Sequence, residues 1–146
     1  MGRTVAIDYG SRRIGLASAD SRGTIATPAG TLNSTGSVSG DAERILAWAR
    51  ENDAHTIVVG LPLNMDGSDS PQTRHTRALA DELRRQATLT IELWDERLSS
   101  FQADEFLDAA SVPRSRRRKL RDTLAAQVIL HSYLDAHRSD AGGPVQ

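Results

Sequence analysis

Three acidic positions could carry chemistry in this chain. Asp8 closes the apolar run Val5, Ala6, Ile7; Asp95 and Glu96 stand side by side after the apolar segment 88–94; Asp122 shares a helical face with Ala125, Ala126, Ile129 and Tyr133. An ionised carboxylate beside a buried run costs several kcal/mol unless a cation, either a metal or an arginine, pairs it. Carboxylates from three separate elements gathered in one place repel and shift each other's pKa. Oxygen ligands without Cys or paired His favour Mg2+ or Mn2+. Two such ions about 4 Å apart activate a water and stabilise a leaving oxygen, which is the chemistry of phosphodiester hydrolysis. The plainer reading of each acid is a turn, cap or salt-bridge carboxylate. Asp95 and Glu96 are rivals, because at a strand end either neighbour can point inward.

Other chemistries find little support. Gly10 and Gly15 have the glycine spacing of a P-loop, but Leu16 and Ala17 stand where Lys and Ser/Thr would hold phosphate and magnesium. No GxGxxG follows an expected strand, so dinucleotide binding has no basis. With no cysteine there is no disulfide framework, no Cys-ligated zinc and no thiol nucleophile. His55, His75, His131 and His137 show no metal-ligand spacing. Trp48 and Trp94 read as packing, since aromatic residues are too sparse here for a base-stacking platform.

The net charge of −1 gives no whole-molecule attraction for nucleic acid, so local distribution matters more. The segment RSRRRKLR at positions 114–121 gathers Arg114, Arg116, Arg117, Arg118, Lys119 and Arg121, a patch able to contact phosphates. Charge runs are usually solvated faces, but arginines at a helix start are disfavoured by the dipole, which tips this one toward phosphate binding. Arg12, Arg13 and Arg97 stand near the acids and could position the phosphate backbone. For Arg97 an ion pair with a neighbouring acid is the competing reading. Asp20 and Asp66 could be outer-sphere ligands or could simply make turns, and the loop with Asn64, Asp66 and Gly67 could line a groove or merely connect.

The elements must bring these positions together. Residues 5–7 and 14–17 read as strands joined by a tight turn, and 24–32 as a third strand interrupted at Pro28, which suits an edge or a bulge. Residues 33–40 form a mobile Ser/Gly/Thr loop, followed by a helix over 41–51 with Ala42, Ile45, Leu46 and Ala49 on one stripe. Strands at 55–60 and 88–94 each follow a helix, which predicts parallel crossovers. Ser70 before Pro71 caps the second helix, which buries Thr76, Leu79, Ala80 and Leu83. Ser99 and Gln102 open a further helix with the stripe Ala103, Phe106, Leu107 and Ala110. After the basic segment a last helix runs to about His137. The expected fold is α/β: an antiparallel three-strand meander plus two parallel strands in one mixed sheet, flanked by helices. Residues 1–138 are expected to form a single domain and 139–146 a disordered tail.

The segments DYGSRRIGLASAD, VVGLPLNMDGSDS, WDERLSS and RDTLAAQVILHSYLD resemble, in order, the four signature blocks of the YqgF family. Its members are described as pre-16S rRNA nucleases and as Holliday-junction-resolvase-like proteins. The resemblance implies a ribonuclease H-like three-layer fold and a divalent-metal nuclease, with Mg2+ or Mn2+, that matures the 5′ end of 16S rRNA. By the same resemblance Asp8 matches the first-strand aspartate, Glu96 the acid of the DER motif and Asp122 the helix aspartate ahead of paired alanines. These three are then the catalytic and metal-binding set.

The expected partner is RNA, with branched DNA as the alternative substrate, because backbone-phosphate chemistry needs no particular sugar. A non-catalytic nucleic-acid-binding module acting with the ribosome or transcription machinery is a reading of another class. An actin or sugar-kinase-like ATPase is disfavoured by length, since that site lies between two lobes. No apolar run approaches membrane-spanning length, and a cytoplasmic monomer or weak homodimer is expected.

Overall fold

The computed structural model describes the backbone of residues 2–98, 111 and 113–142, and within its last helix the side chains of Arg116 and residues 124–137. Strands β1 (Arg3–Tyr9), β2 (Arg13–Ala19) and β3 (Ala26–Asn33) form the meander. Helix α1 (Val38–Glu51) leads to β4 (Ala54–Leu61), and α2 (Pro71–Gln86) leads to β5 (Thr90–Asp95). A 3-10 turn at Glu96–Leu98 follows, and α3 (Arg114–Gly142) is the last element. The sheet order is β3-β2-β1-β4-β5, with β1 antiparallel to β2, β2 antiparallel to β3, and β4 parallel to both β1 and β5. This is the mixed sheet the patterning predicts, with β1 at its centre.

Alternation along the strands divides the interior into two unequal cores. Val5, Ile7, Ile14, Leu16, Ile57, Val59 and Ile91 face α1 and α2 and meet Ile45, Leu46, Leu79 and Leu83. Each such wholly buried side chain contributes about 2 kcal/mol. The other face is lined by Ala6, Ala17, Ala19, Ala26 and Val58, against which α3 sets Ala126, Ile129, Leu130, Tyr133 and Leu134. Small residues on the sheet mean that large helix side chains fill the layer. Asp8 and Gly60 follow Ala6 and Val58 on this second face.

Local departures from expectation have physical causes. Residues 33–40 are ordered into the fold: Asn33 ends β3, and Ser37 caps α1 by accepting from the Gly40 amide at 3.0 Å, so the helix begins three residues early. Pro28 lies on the edge strand beside the register shift between Gly15 and Ala17, where Gly30 adopts a φ of +91° in the extra length of β3. Ser70 caps α2 as expected, accepting from the Thr73 amide at 3.1 Å. Helix α3 runs on to Gly142, past the end expected near His137 and into the segment expected to be a disordered tail. The helix expected from Ser99 lies outside the described residues. Among the described residues no helix is long and apolar enough to cross a membrane.

Candidate active site

The carboxyl ends of β1, β4 and β5 lie along one edge of the sheet. In register, Ile7 faces Val59 and Gly60 faces Trp94, so Gly60 separates the strand that carries Asp8 from the strand that leads to Glu96. On β5, Ile91 and Leu93 belong to the α1/α2 side, while Trp94 packs toward α3 and Glu92 meets Tyr133 of that helix. Glu96, two residues beyond Trp94, emerges on the α3 side and its side chain folds back over Gly60. A Cβ on Gly60 would sit 2.9 Å from Glu96 Oε1 and 2.4 Å from Ile129 Cδ1. The missing side chain is therefore what lets Glu96 reach across β4, and there its carboxyl hydrogen-bonds the Asp8 carboxyl.

Burial first, then the hydrogen bond and charge of Asp8, then the charge of Asp95, push the Glu96 carboxyl up to about 8. At neutral pH the pair therefore keeps a proton, with the neutral Glu96 carboxyl donating to Asp8. Asp95 has the opposite surroundings. It accepts from Arg97 Nη2 at 2.7 Å, from Arg97 Nε at 3.0 and 3.1 Å, and from the Arg97 amide at 2.9 Å, and these bonds hold it below the usual carboxylate range. Of the two rivals, Glu96 is the one that faces Asp8.

The Arg97 guanidinium is engaged in that ion pair and also donates from Nη1 to the Met65 carbonyl at 3.1 Å, tying the 64–68 loop to the 3-10 turn. Of the two readings of Arg97, the ion pair with an acid is the one observed. Arg12 and Arg13 are exposed on the β1–β2 turn just beyond Asp8. Arg116 is exposed at the start of α3, whereas the side chains of Arg114, Arg117, Arg118, Lys119, Arg121 and Asp122 lie outside the described ones. Asp122 belongs to α3, two helical turns before Ile129, the residue that abuts Gly60.

Asp20 and Asp66 make turns. Asp20 accepts from the Thr24 amide, the Thr24 hydroxyl and the Ile25 amide, and it lies at the opposite edge of the sheet from Asp8. Asp66 Oδ1 accepts from the Ser68 amide and hydroxyl. Trp94 packs as expected, bonding Ser132 Oγ through Nε1 at 3.0 Å. Two histidines read as ordinary carry ring contacts: His75 stacks on Tyr9 at 4.9 Å and His137 on Tyr133 at 3.9 Å.

Two positions were not singled out by the sequence. Gly60 is one, and a glycine inside the apolar run Ile57, Val58, Val59 is itself a signal of close approach. Asp41 is the other, 1% exposed, accepting from Tyr9 Oη at 2.5 Å, Thr35 N at 2.6 Å, Ser34 Oγ at 2.8 Å and Thr35 Oγ1 at 2.9 Å. Burial pulls its pKa up, and the Tyr9 hydroxyl with the Thr35 and Ser34 donors brings it below the ordinary range. This is a structural carboxylate.

Residues 2–136 match the family model described as RuvX: Holliday junction resolvase. The chain belongs to the RuvX family. RuvX relatives bearing the name "Putative pre-16S rRNA nuclease" align along nearly the whole chain. One from Myxococcus xanthus (strain DK1622) is 43% identical over 136 residues, 93% of this chain and 89% of its own length. One from Pelotomaculum thermopropionicum is 38% identical over 144 residues, 97% of this chain and 94% of its own. Among solved structures, Thermus thermophilus RuvC in complex with a Holliday junction substrate superposes with a TM-score of 0.55 at 13% identity, covering 97% of both chains. The large terminase nuclease of thermophilic phage G20c gives 0.55 at 13% identity, over 90% of this chain and 81% of its own. At these identities the likeness is one of fold, and it is the ribonuclease H-like α/β fold expected from the sequence.

Proposed function

We propose that this RuvX chain is a divalent-metal-dependent endonuclease that hydrolyses RNA phosphodiester bonds and processes the 5′ end of pre-16S rRNA. The observation that carries the proposal is the meeting of Asp8 and Glu96 over Gly60 at the carboxyl edge of the sheet. Two acids that share a proton are a hard-oxygen donor set of the kind Mg2+ and Mn2+ take. Among the described residues no group of three such ligands occurs, and Asp122, on the helix that crosses the pair, is the candidate third.

Asp8, Glu96 and Asp122 would hold the ion, which when bound supplies a water of lowered pKa and neutralises charge on the leaving oxygen. Asp8 contributes a standing negative charge. Glu96 would bind the ion as its ionised carboxylate. Gly60 provides the space for Glu96, and Asp95 keeps Arg97 away from both. Arg12 and Arg13 on one side, and Arg114, Arg116, Arg117, Arg118, Lys119 and Arg121 at the head of α3, would grip backbone phosphates and set the register of the strand. Residues 1–138 would act as one domain in the cytoplasm, as a monomer or weak homodimer.

The description of the matching family model favours a second reading, resolution of branched DNA. Both are tested by incubating the protein with a 16S precursor transcript and with a four-way DNA junction, in Mg2+, Mn2+ or chelator. The proposal expects metal-dependent cleavage of the transcript at its 5′ end. Cleavage of the junction alone would transfer the assignment to DNA, and equal cleavage in chelator would overturn the metal role.

A further inference from the structure

The loop between β4 and α2 is braced far more than a connector needs to be. The Asn64 amide donates to the Ser68 carbonyl at 2.9 Å, the Gly67 amide to the Asn64 carbonyl at 2.8 Å, and Asn64 Nδ2 to Ser68 Oγ at 3.0 Å. Gly67 supplies the left-handed turn with a φ of +88°. Arg97 then pins the Met65 carbonyl to the turn that carries Glu96. Yet the side chain at the tip of this stiff loop, Met65, is 90% exposed, and Leu98, on the other side of Arg97 along the chain, is 56% exposed. The third large exposed apolar side chain among the described residues, Ile25, sits at the far edge of the sheet. Single exposed apolar residues are ordinary on a surface. Two that flank the residue next to Glu96, one of them on a braced loop, make a local feature of the site.

Charge decides what meets them. Asp66 accepts from the Ser68 hydroxyl, Asp69 is paired with Arg77 at 2.9 Å, and Asp95 with Arg97 at 2.7 Å. The guanidinium that bonds the loop tip, that of Arg97, is already paired with Asp95. The acids around Met65 repel a phosphate, whereas an uncharged base carries no charge for them to repel.

We propose that Met65, together with Leu98, is a rest for the face of an unpaired nucleobase flanking the scissile bond, so that the substrate must be single-stranded or distorted at that nucleotide. This deepens the nuclease reading and rests on it. In a continuous duplex the faces of the bases are covered by stacking, and an apolar side chain reaches one only where the base is unstacked or the stack is wedged open.

The test uses two RNAs of one sequence, single-stranded or annealed across the cut, with wild type, Met65→Ala and Leu98→Ala in Mn2+ or Mg2+. Wild type is expected to prefer the unpaired RNA. Each substitution is expected to lower kcat/KM on it by about tenfold, mainly through KM, with little change on the duplex. Removing the flanking base from the RNA should bring wild type down to the level of Met65→Ala and leave that variant unaffected. A 2-aminopurine at that nucleotide should change fluorescence on binding wild type and not on binding Met65→Ala. Equal kinetics for wild type and both variants would overturn the proposal while leaving the nuclease reading intact, and is also what a protein partner for Met65 would give. Failure of wild type to cleave any RNA or junction would remove the nuclease reading, and the proposal with it. Unchanged melting temperatures show that the variants fold.

Discussion

Asp8 and Asp41 sit on opposite sides of the same strand and use burial in opposite ways. Tyr9, the neighbour of Asp8 on β1, turns to the α1/α2 face and donates to Asp41, which three further donors also serve. Asp41 is thus a charge fully solvated by protein, and its pKa falls. Asp8 faces the α3 side, where its observed carboxyl partner is Glu96, and the pKa of that partner rises. A buried acid met by donors holds the fold together; a half-buried acid that hydrogen-bonds another acid shares a proton with it and offers oxygen donors that suit a cation.

The sharpest way to break this contrast is to neutralise one acid on each side. Asp8→Asn is expected to reduce cleavage by at least about a thousandfold, the scale of losing a metal-centred charge. In chelator near neutral pH the same variant should keep about the stability of wild type to urea, because an amide oxygen at position 8 can still accept from the protonated Glu96 carboxyl. An Asp8→Asn protein that cleaves at a rate near wild type would sink the catalytic assignment. Asp41→Ala should do the reverse. It strands the Tyr9 and Ser34 hydroxyls and the Thr35 amide and is expected to cost about 3 kcal/mol of stability by denaturant titration, while cleavage per folded molecule stays within a few-fold.

How far the sequence discloses this contrast depends on the range of the interactions. The strands, α2 and the position of Asp8 at a strand end follow from local patterns: the apolar run before Asp8, the Ser70–Pro71 start, the stripe through Leu79 and Leu83. Glu96 over Asp95 follows from the packing rather than from the local pattern. Ile91 and Leu93 pack on the α1/α2 core, so Glu96 shares the parity of Glu92 and Trp94 and must emerge on the other side. Asp41 was not legible, because its decisive donor is Tyr9, 32 residues earlier, and its other donors lie in a Ser/Thr/Gly segment without periodicity. The Arg97 reading could not be decided locally either, since its second contact is with Met65, 32 residues away.

Gly60→Ala probes the space between the two acids without altering a charge. The added methyl would press on Ile129 and on the Glu96 carboxyl. Displacing them is expected to cost about 2 kcal/mol of stability and to lower cleavage by about tenfold or more, with Glu96 no longer held against Asp8. A variant of unchanged activity and stability would show that Glu96 can reach Asp8 by another route.

The smallest effect is the one most specific to the pairing, and it is read as stability against pH in chelator. In the unfolded chain Glu96 ionises near the ordinary glutamate value of 4.5, whereas in the folded chain it holds its proton to about 8. Across that interval the folded state binds more protons than the unfolded state. The stabilisation is thus fully present below the unfolded value and is lost as pH rises through the folded one. Asp41 has a depressed folded pKa, so its contribution is present above the unfolded aspartate value of about 3.9 and is lost as pH falls through the folded value. The two sites therefore give opposing limbs to one stability curve. Glu96→Gln should flatten the alkaline limb, changing the wild-type-to-variant difference by about 1.5 kcal/mol between about pH 5 and about pH 8, the full shift being reduced by solvent at a half-open site. Asp41→Asn should flatten only the acid limb. If wild type and Glu96→Gln follow parallel curves over that interval, Asp8 and Glu96 do not share a proton, and the distinction between the two faces of β1 loses its electrostatic basis.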